Sequence, residues 1–252
     1  MKRFMALFKL EYEGMFLPLW VIVLAMAVLQ SALFGWRLSR AARNENLASL
    51  IEASGVPVVF AIAFASLLGL VGVRLAMNYA PSKSMYALLT LPVSRGHVYL
   101  AKLTAALLAG FVLLAAQMVL LVVFSLLVGA YDSGAHYAGI TTRRHADLYL
   151  SLLDTGFLRM LFPPDLISLA FSLAGYLGSV CVSLYVAARL KTGNRRYTVI
   201  LTVAWLAVIL FSFPLIHNVR SINVVMFSLM VIIPVAASIR GIILFESGAV
   251  AG

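Results

Sequence analysis

The chain has 252 residues, of which 63% are hydrophobic and only 11% are charged, and its formal net charge is +10. A soluble domain is about a quarter charged residues, so this composition excludes a water-soluble fold and indicates a protein that crosses the membrane several times. The long apolar runs are continuous rather than alternating, which favours helices over barrel strands. The predicted fold class is therefore an all-α integral membrane protein.

The N-terminal residues 1–13 have the pattern of an amphipathic helix. Phe4 and Phe8 supply an apolar side, and Lys2 and Lys9 supply a polar side. Such a helix lies in the plane of the membrane interface, either as a simple anchor or as an elbow that moves with the first span. The apolar run that follows is of full span length, so we expect no cleavable signal peptide.

Six apolar runs are long enough to span the bilayer, which takes about 20 mostly apolar residues each. The predicted spans are 14–36, 53–76, 99–129, 164–188, 197–216 and 221–243. The short link between the fifth and sixth spans can contain a broken or re-entrant turn. The longest loop, 130–163, is predicted to be external, as an interfacial connector or as a lid over a pathway. We expect residues 1–252 to form a single transmembrane domain.

The placement of Lys and Arg predicts the orientation of the chain. With the N-terminus inside, 12 of the 19 basic residues, including every Lys, are cytoplasmic and the other 7 are external. Both termini are therefore predicted to be cytoplasmic. The net positive charge then reflects this topology and contact with anionic lipid headgroups. No basic stretch forms a soluble domain, so no nucleic-acid partner is expected.

Few polar side chains lie within the predicted spans. Gln30 and Gln117 are the largest, and an unpaired amide at this depth is costly. We expect Gln117 to bond to a neighbouring helix; the alternative is that these amides line a substrate pathway. Arg74, near the inner end of the second span, can extend to the headgroups. Cys181 is interpreted as a small packing residue.

The sequence contains no constellation typical of a catalytic or cofactor site. It lacks a phosphate-binding Gly-rich loop and a His or Cys pair with metal-ligand spacing. No carboxylate falls in the apolar core of a predicted span, although carriers driven by ion gradients usually keep one there. We therefore expect no enzyme activity and no cofactor on this chain, and an energy source on another chain.

A basic segment, 78–98, separates the second and third predicted spans. Ser84 to Thr90 can form two helical turns, Pro92 ends them, and Ser94 restarts a helix that continues into the third span. A helix that lies on the membrane and is held at both ends by spans is suited to receive force from a soluble partner. The segment is therefore predicted to be a cytoplasmic coupling region.

These features resemble the membrane (permease) subunits of type-2 ABC exporters, and the resemblance covers nearly the whole chain. It is carried by the string Leu-Leu-Thr-Leu-Pro-Val-Ser-Arg at 88–95, followed by Lys102 at the foot of the third span. The six-span layout and the interfacial helix with Lys9 and Glu11 add to it. Family members often carry an acidic residue shortly before the Leu-Pro string, where this chain has Lys83 and Ser84.

The resemblance implies half of a transporter in a bacterial-type cell membrane. A second copy or a paralogue would complete the pathway, and separate ATPase subunits would bind ATP and magnesium. The cargo would be amphipathic, such as a hydrophobic peptide, a lipid or a drug. Residues implied in ATPase coupling are Ser84, Leu88, Leu89, Leu91, Pro92, Ser94 and Arg95, with Arg195 and Arg196 in a second cytoplasmic contact.

Two other classes of function stay open on the sequence. A membrane scaffold or sensor would act without any ATPase and would tolerate changes in 88–95. An intramembrane enzyme acting on lipid or peptide would need paired polar residues at a common depth, and these are not found in the sequence.

Overall fold

The computed structural model describes residues 2–40, 45–78, 94–135, 156–161, 166–191 and 224–246, together with residues 200, 202, 203 and 205. All regular secondary structure in these ranges is helical, which confirms the predicted all-α class for this part of the chain. The helices are α1 (Lys2–Arg40), α2 (Leu47–Ala53), α3 (Val56–Asn78), α4 (Arg95–Ala135), α5 (Gly156–Leu161), α6 (Leu166–Lys191) and α7 (Val224–Glu246).

Four of the described helices are long and apolar enough to cross a membrane. They contain the stretches Phe4–Arg40, Val56–Leu75, Gly96–Ala130 and Ser168–Arg189, which match the first four predicted spans. The stretch Ser228–Leu244 in α7 is apolar but shorter, and it overlaps the sixth predicted span. Most of the fifth predicted span lies outside the described residues. The chain is thus a multi-pass membrane protein.

Helix α1 joins two elements that the sequence predicts separately. Residues 2–13 of the predicted interfacial helix, 1–13, and the predicted first span lie in one helix of 39 residues. Gly14 at the expected boundary does not break the helix, and Pro18 is accommodated inside it. A helix interrupted at one hydrogen bond can continue when the freed backbone group finds another partner. The orientation of residues 1–13 in the interface stays a prediction.

The second predicted span begins later than expected, because a short helix precedes it. In α2, the Asn46 side chain accepts a hydrogen bond from the Ser49 N–H at 2.9 Å and caps the helix. Gly55 has a φ of +78°, in the left-handed region that favours glycine, and it separates α2 from α3. Pro57 stands in the first turn of α3, where its missing N–H is harmless.

The chain divides into two compact units. Unit 1 comprises 1–20, 66–111 and 173–252, and unit 2 comprises 21–65 and 112–172. Helices α1, α3, α4 and α6 contribute residues to both, so neither unit is a continuous piece of chain.

Unit 2 has a core of aromatic and aliphatic side chains. Phe34 and Phe124 stack with their ring centroids 4.3 Å apart. Helix α2 buries Leu50 and Ile51 in the same cluster, together with Leu158 of α5. Seven-residue α2 has little intrinsic stability, so burial of this apolar face is what holds it.

Unit 1 brings helices together through glycines. A Cβ on Gly178 would lie 2.6 Å from the Pro234 ring and 2.9 Å from the Trp205 indole, so only glycine permits this approach. The Trp205 indole N–H donates to the Ser179 hydroxyl at 3.1 Å. In lipid, where apolar side chains gain little by association, such small residues let helices pack closely. Helix α6 therefore packs against α7 and against Trp205, which lies in the fifth predicted span.

Candidate functional site

Most of the sequence-predicted coupling residues lie outside the part of the chain that the structure describes. Two are described: Ser94, which is exposed, and Arg95, the first residue of α4. The residues outside the described ranges are Ser84, Leu88, Leu89, Leu91, Pro92, Arg195 and Arg196.

The start of α4 follows the sequence prediction closely. The Ser94 carbonyl accepts a hydrogen bond from the His97 N–H at 3.0 Å, and the Ser94 hydroxyl bonds to Nδ1 of His97. Ser is a preferred residue at this position because it can serve groups that the first helical turn leaves open. From Arg95 the helix continues without interruption to Ala135, so the end of the segment 78–98 is rigidly joined to the third span.

A buried ion pair connects α1 with α4. The Lys102 ammonium donates to Oε1 of Glu11, and their side chains are only 4% and 14% exposed. Charges removed from water to this degree are tolerated when they are paired, and each leaves a large penalty if its partner is lost. The sequence singles out both residues, but 91 positions separate them and no periodicity indicates their pairing.

A second cation contacts α1 one helical turn away. Pro18 has no N–H, so the carbonyl of Gly14 lacks the donor that an α-helix places four residues later. The Arg74 guanidinium of α3 donates to that carbonyl. A Cβ at residue 14 would lie 3.4 Å from Nη1 of Arg74, so glycine leaves room for the guanidinium. This contact with a backbone carbonyl was not predicted from the sequence, and contact of Arg74 with the headgroups stays a prediction.

The two cations, Arg74 and Lys102, lie near the end of α3 and near the start of α4, the helices on either side of the segment 78–98. Arg74 lies four residues before the last residue of α3, and Lys102 lies seven residues after the first residue of α4. Their partners on α1, Glu11 and Gly14, are three residues apart and share a helix face. A small cavity is lined by Glu11 and both cations, and its full lining is Glu11, Met15, Val71, Arg74, Leu75, Lys102, Ala106 and Leu184.

Helix α7 brings a carboxylate to the start of α4. A Cβ on Gly96 would lie 2.9 Å from Oε1 of Glu246, so this carboxylate sits beside the first turn of α4. Negative charge near a helix N-terminus is favourable because it faces the unsatisfied N–H groups. The sequence has no acidic residue from 53 to 131, and the fold supplies one here from 150 positions downstream of Gly96.

Unit 2 contains a neutral polar contact between spans. Nε2 of Gln30 donates to Oε1 of Gln117 at 2.9 Å, and neither residue is exposed. Nε2 of Gln30 also lies 3.4 Å from the Val56 carbonyl. Gln117 thus bonds to a neighbouring helix, as expected. The burial of both amides among helices of one chain favours a packing role, and a place for them along a pathway stays a prediction.

These features define a class: a multi-pass helical membrane protein in which two cations, near the end of α3 and the start of α4, contact the first helix. Comparison with known families makes the class specific. The model of the ABC-2 family of transporter proteins matches residues 16–188, more than half of the chain. Searches among curated proteins and among solved structures found no match.

The chain belongs to the ABC-2 family of transporter proteins, which confirms the resemblance drawn from the sequence. Membership points to the membrane component of an ABC transporter and implies association with an ABC ATPase subunit.

Proposed function

We propose that this chain is the membrane-spanning half of an ATP-driven exporter, and that a separate ATPase docks on the segment 78–98. The observation that carries the proposal is the family match over 16–188, which includes this segment and both helices that flank it. The direct continuation of Ser94 into α4 supports it, since force applied at the segment would enter a long helix without an intervening loop.

The docking surface would be formed by Ser84, Leu88, Leu89, Leu91, Pro92, Ser94 and Arg95, with Arg195 and Arg196 in a second contact. The partner would bind ATP and magnesium, and its closure would push on these contacts. A second copy of this chain or a paralogue would complete the pathway. The pathway would then alternate between inward-open and outward-open states.

The orientation and cargo follow from charge and apolarity. All Lys residues fall on the side of the N-terminus in the predicted topology, which supports cytoplasmic termini in a bacterial-type cell membrane. The strongly apolar spans suit an amphipathic cargo such as a hydrophobic peptide, a lipid or a drug.

To test the proposed ATPase partner, the chain is isolated from its native membrane in mild detergent and co-purifying proteins are identified by mass spectrometry. We expect an ABC-type ATPase in near-equal amount. The double variant Leu91→Asp with Arg95→Glu should insert normally but lose the ATPase, because it places negative charge in the docking surface. Leu148→Asp with Arg144→Glu makes the same chemical changes in the predicted external loop and should retain it.

Recovery of the wild-type chain alone, even after crosslinking through residues 82–102, would overturn the proposal and favour a scaffold or sensor. Equal ATPase recovery with the Leu91–Arg95 variant would overturn the docking assignment.

A further inference from the structure

Three side chains, Glu11, Arg74 and Lys102, form the contacts of α1 with the end of α3 and the start of α4. Arg74 reaches α1 from α3, and Lys102 reaches it from α4. The proposed docking segment is the connection between those two helices. Any displacement of their facing ends therefore acts on α1 through two charged contacts placed one turn apart.

We propose that Glu11, Arg74 and Lys102 are positioning residues that carry a displacement of the ends of α3 and α4 into α1, at its Gly14–Pro18 turn. The inference rests on the proposed function, since the displacement comes from the docked ATPase. The inference names the contacts through which a displacement caused by the ATPase would reach the N-terminal helix α1.

The chemistry of the contacts suits this role. An ion pair that is nearly excluded from water is costly to separate, so its two helices move together. Lys102 is 4% exposed and Glu11 is 14% exposed, which places their contact in that regime. Met15 and Leu75 add apolar side chains to the lining of the cavity beside the pair.

Pro18 makes α1 deformable where the contacts attach. An intact helix resists bending because each carbonyl is held by an N–H four residues later. At Gly14 that bond is absent and Arg74 from another helix takes its place. Helix α1 therefore lacks one of its internal hydrogen bonds at the turn where Arg74 of α3 contacts it. Helices bend preferentially at such positions.

A matched contact lies elsewhere on the same helix. Nη2 of Arg37 pairs with Glu45 at 2.9 Å, and the side chains are 32% and 23% exposed. This ion pair joins α1 to Glu45, two residues before the start of α2, and it does not involve the ends of α3 and α4. It serves as a control for loss of an ion pair on α1.

The test follows the motion of α1 in the complex purified with its ATPase from the native membrane. Cys181 is replaced by Ser, and a spin label is attached at Leu10→Cys, an exposed position on α1. The readout is the collision of the label with oxygen relative to a water-soluble nickel chelate, before and after ATP with vanadate. We expect a clear shift in the wild-type background.

The variant Glu11→Leu with Lys102→Met removes both charges of the pair at similar volume, so that neither charge is left without the other. We expect it to keep the ATPase bound and hydrolysing ATP but to lose the shift at residue 10.

Pro18→Ala should reduce the shift without lowering the melting temperature, since it restores a helical hydrogen bond. Arg37→Gln with Glu45→Gln should retain the full shift.

A response of Glu11→Leu with Lys102→Met equal to that of the wild type would overturn the inference. So would an unresponsive label in a wild-type complex that hydrolyses ATP. Absence of any ATPase from the wild-type preparation would instead overturn the proposed function, and ATPase recovery therefore distinguishes the two failures.

Discussion

The two units differ in the kind of polar contact that they bury: unit 1 buries an ion pair and unit 2 buries a pair of neutral amides. Unit 1 buries charge, in the contact of Glu11 with Lys102. Unit 2 buries two neutral amides, Gln30 and Gln117, and keeps its ion pair at Arg37 partly exposed. A buried charge is far more costly than a buried amide, because the solvation that it loses is larger.

The difference indicates what each contact is for. Replacing a buried ion pair with apolar residues is often neutral or stabilising, so stability alone does not account for Glu11 and Lys102. A hydrogen bond between membrane helices contributes only about 0.6 kcal/mol on average. The bond between Gln30 and Gln117 therefore adds little stability, but it gives each buried amide a partner. Unit 2 thus uses its polar contact for packing, whereas the contact in unit 1 joins α1 to α4, the helix that begins in the proposed docking segment.

The largest expected effect comes from breaking the pair in unit 1. Lys102→Met leaves the Glu11 carboxylate buried without its partner, and we expect a loss of about 3–5 kcal/mol in the free energy of unfolding. Thermal unfolding of the purified chain in detergent measures it. Adding Glu11→Leu should restore most of the loss. Equal instability of the single and double variants would show that packing of the lysine stem, not charge, dominates at this position.

A smaller effect is expected from the amides of unit 2. Gln117→Leu leaves Nε2 of Gln30 without its principal acceptor, at a cost of about 1–3 kcal/mol. Gln30→Leu with Gln117→Leu should be less destabilised than the sum of the single variants. The same unfolding assay supplies the double-mutant cycle, and strictly additive losses would mean that the two amides do not interact.

The smallest effect should follow from Arg37→Gln. Its partner Glu45 stays partly in contact with water, and such pairs contribute about 0.2–1 kcal/mol. The loss should shrink as salt is added, because exposed charges are screened. Unfolding at low and high salt checks this. A salt-independent loss as large as that of Lys102→Met would remove the contrast between the two units.

The sequence predicted the class of the molecule well, for a simple physical reason. Crossing the hydrocarbon requires long apolar helices, and these are visible in composition alone. The second, third and fourth spans and the start of α4 after Ser94 were predicted to within a few residues, whereas the helix of the first span begins about a dozen residues earlier than predicted. Helix α2 was missed because seven residues with an apolar face are too short to show a helical period, and only the core of unit 2 stabilises them.

The candidate site was only partly visible in the sequence. Lys102 and Glu11 were singled out by family resemblance, but their pairing was not, since any of many opposite charges could meet across 91 positions. The contact of Arg74 was not predicted, because its partner is a backbone carbonyl, which has no side-chain signature in the sequence. Pro18 within the first span was the available signal, because a proline in a helix implies a freed carbonyl four residues earlier.

The sequence by itself therefore determined an all-helical, multi-pass membrane protein of the ABC-2 family, because hydropathy and a contiguous string at 88–95 are local properties. The tertiary structure alone decided which polar groups meet: Lys102 with Glu11, Arg74 with Gly14, Gln30 with Gln117, and Glu246 beside Gly96. In an apolar interior each such group must find a partner, but which one it finds depends on how the helices pack.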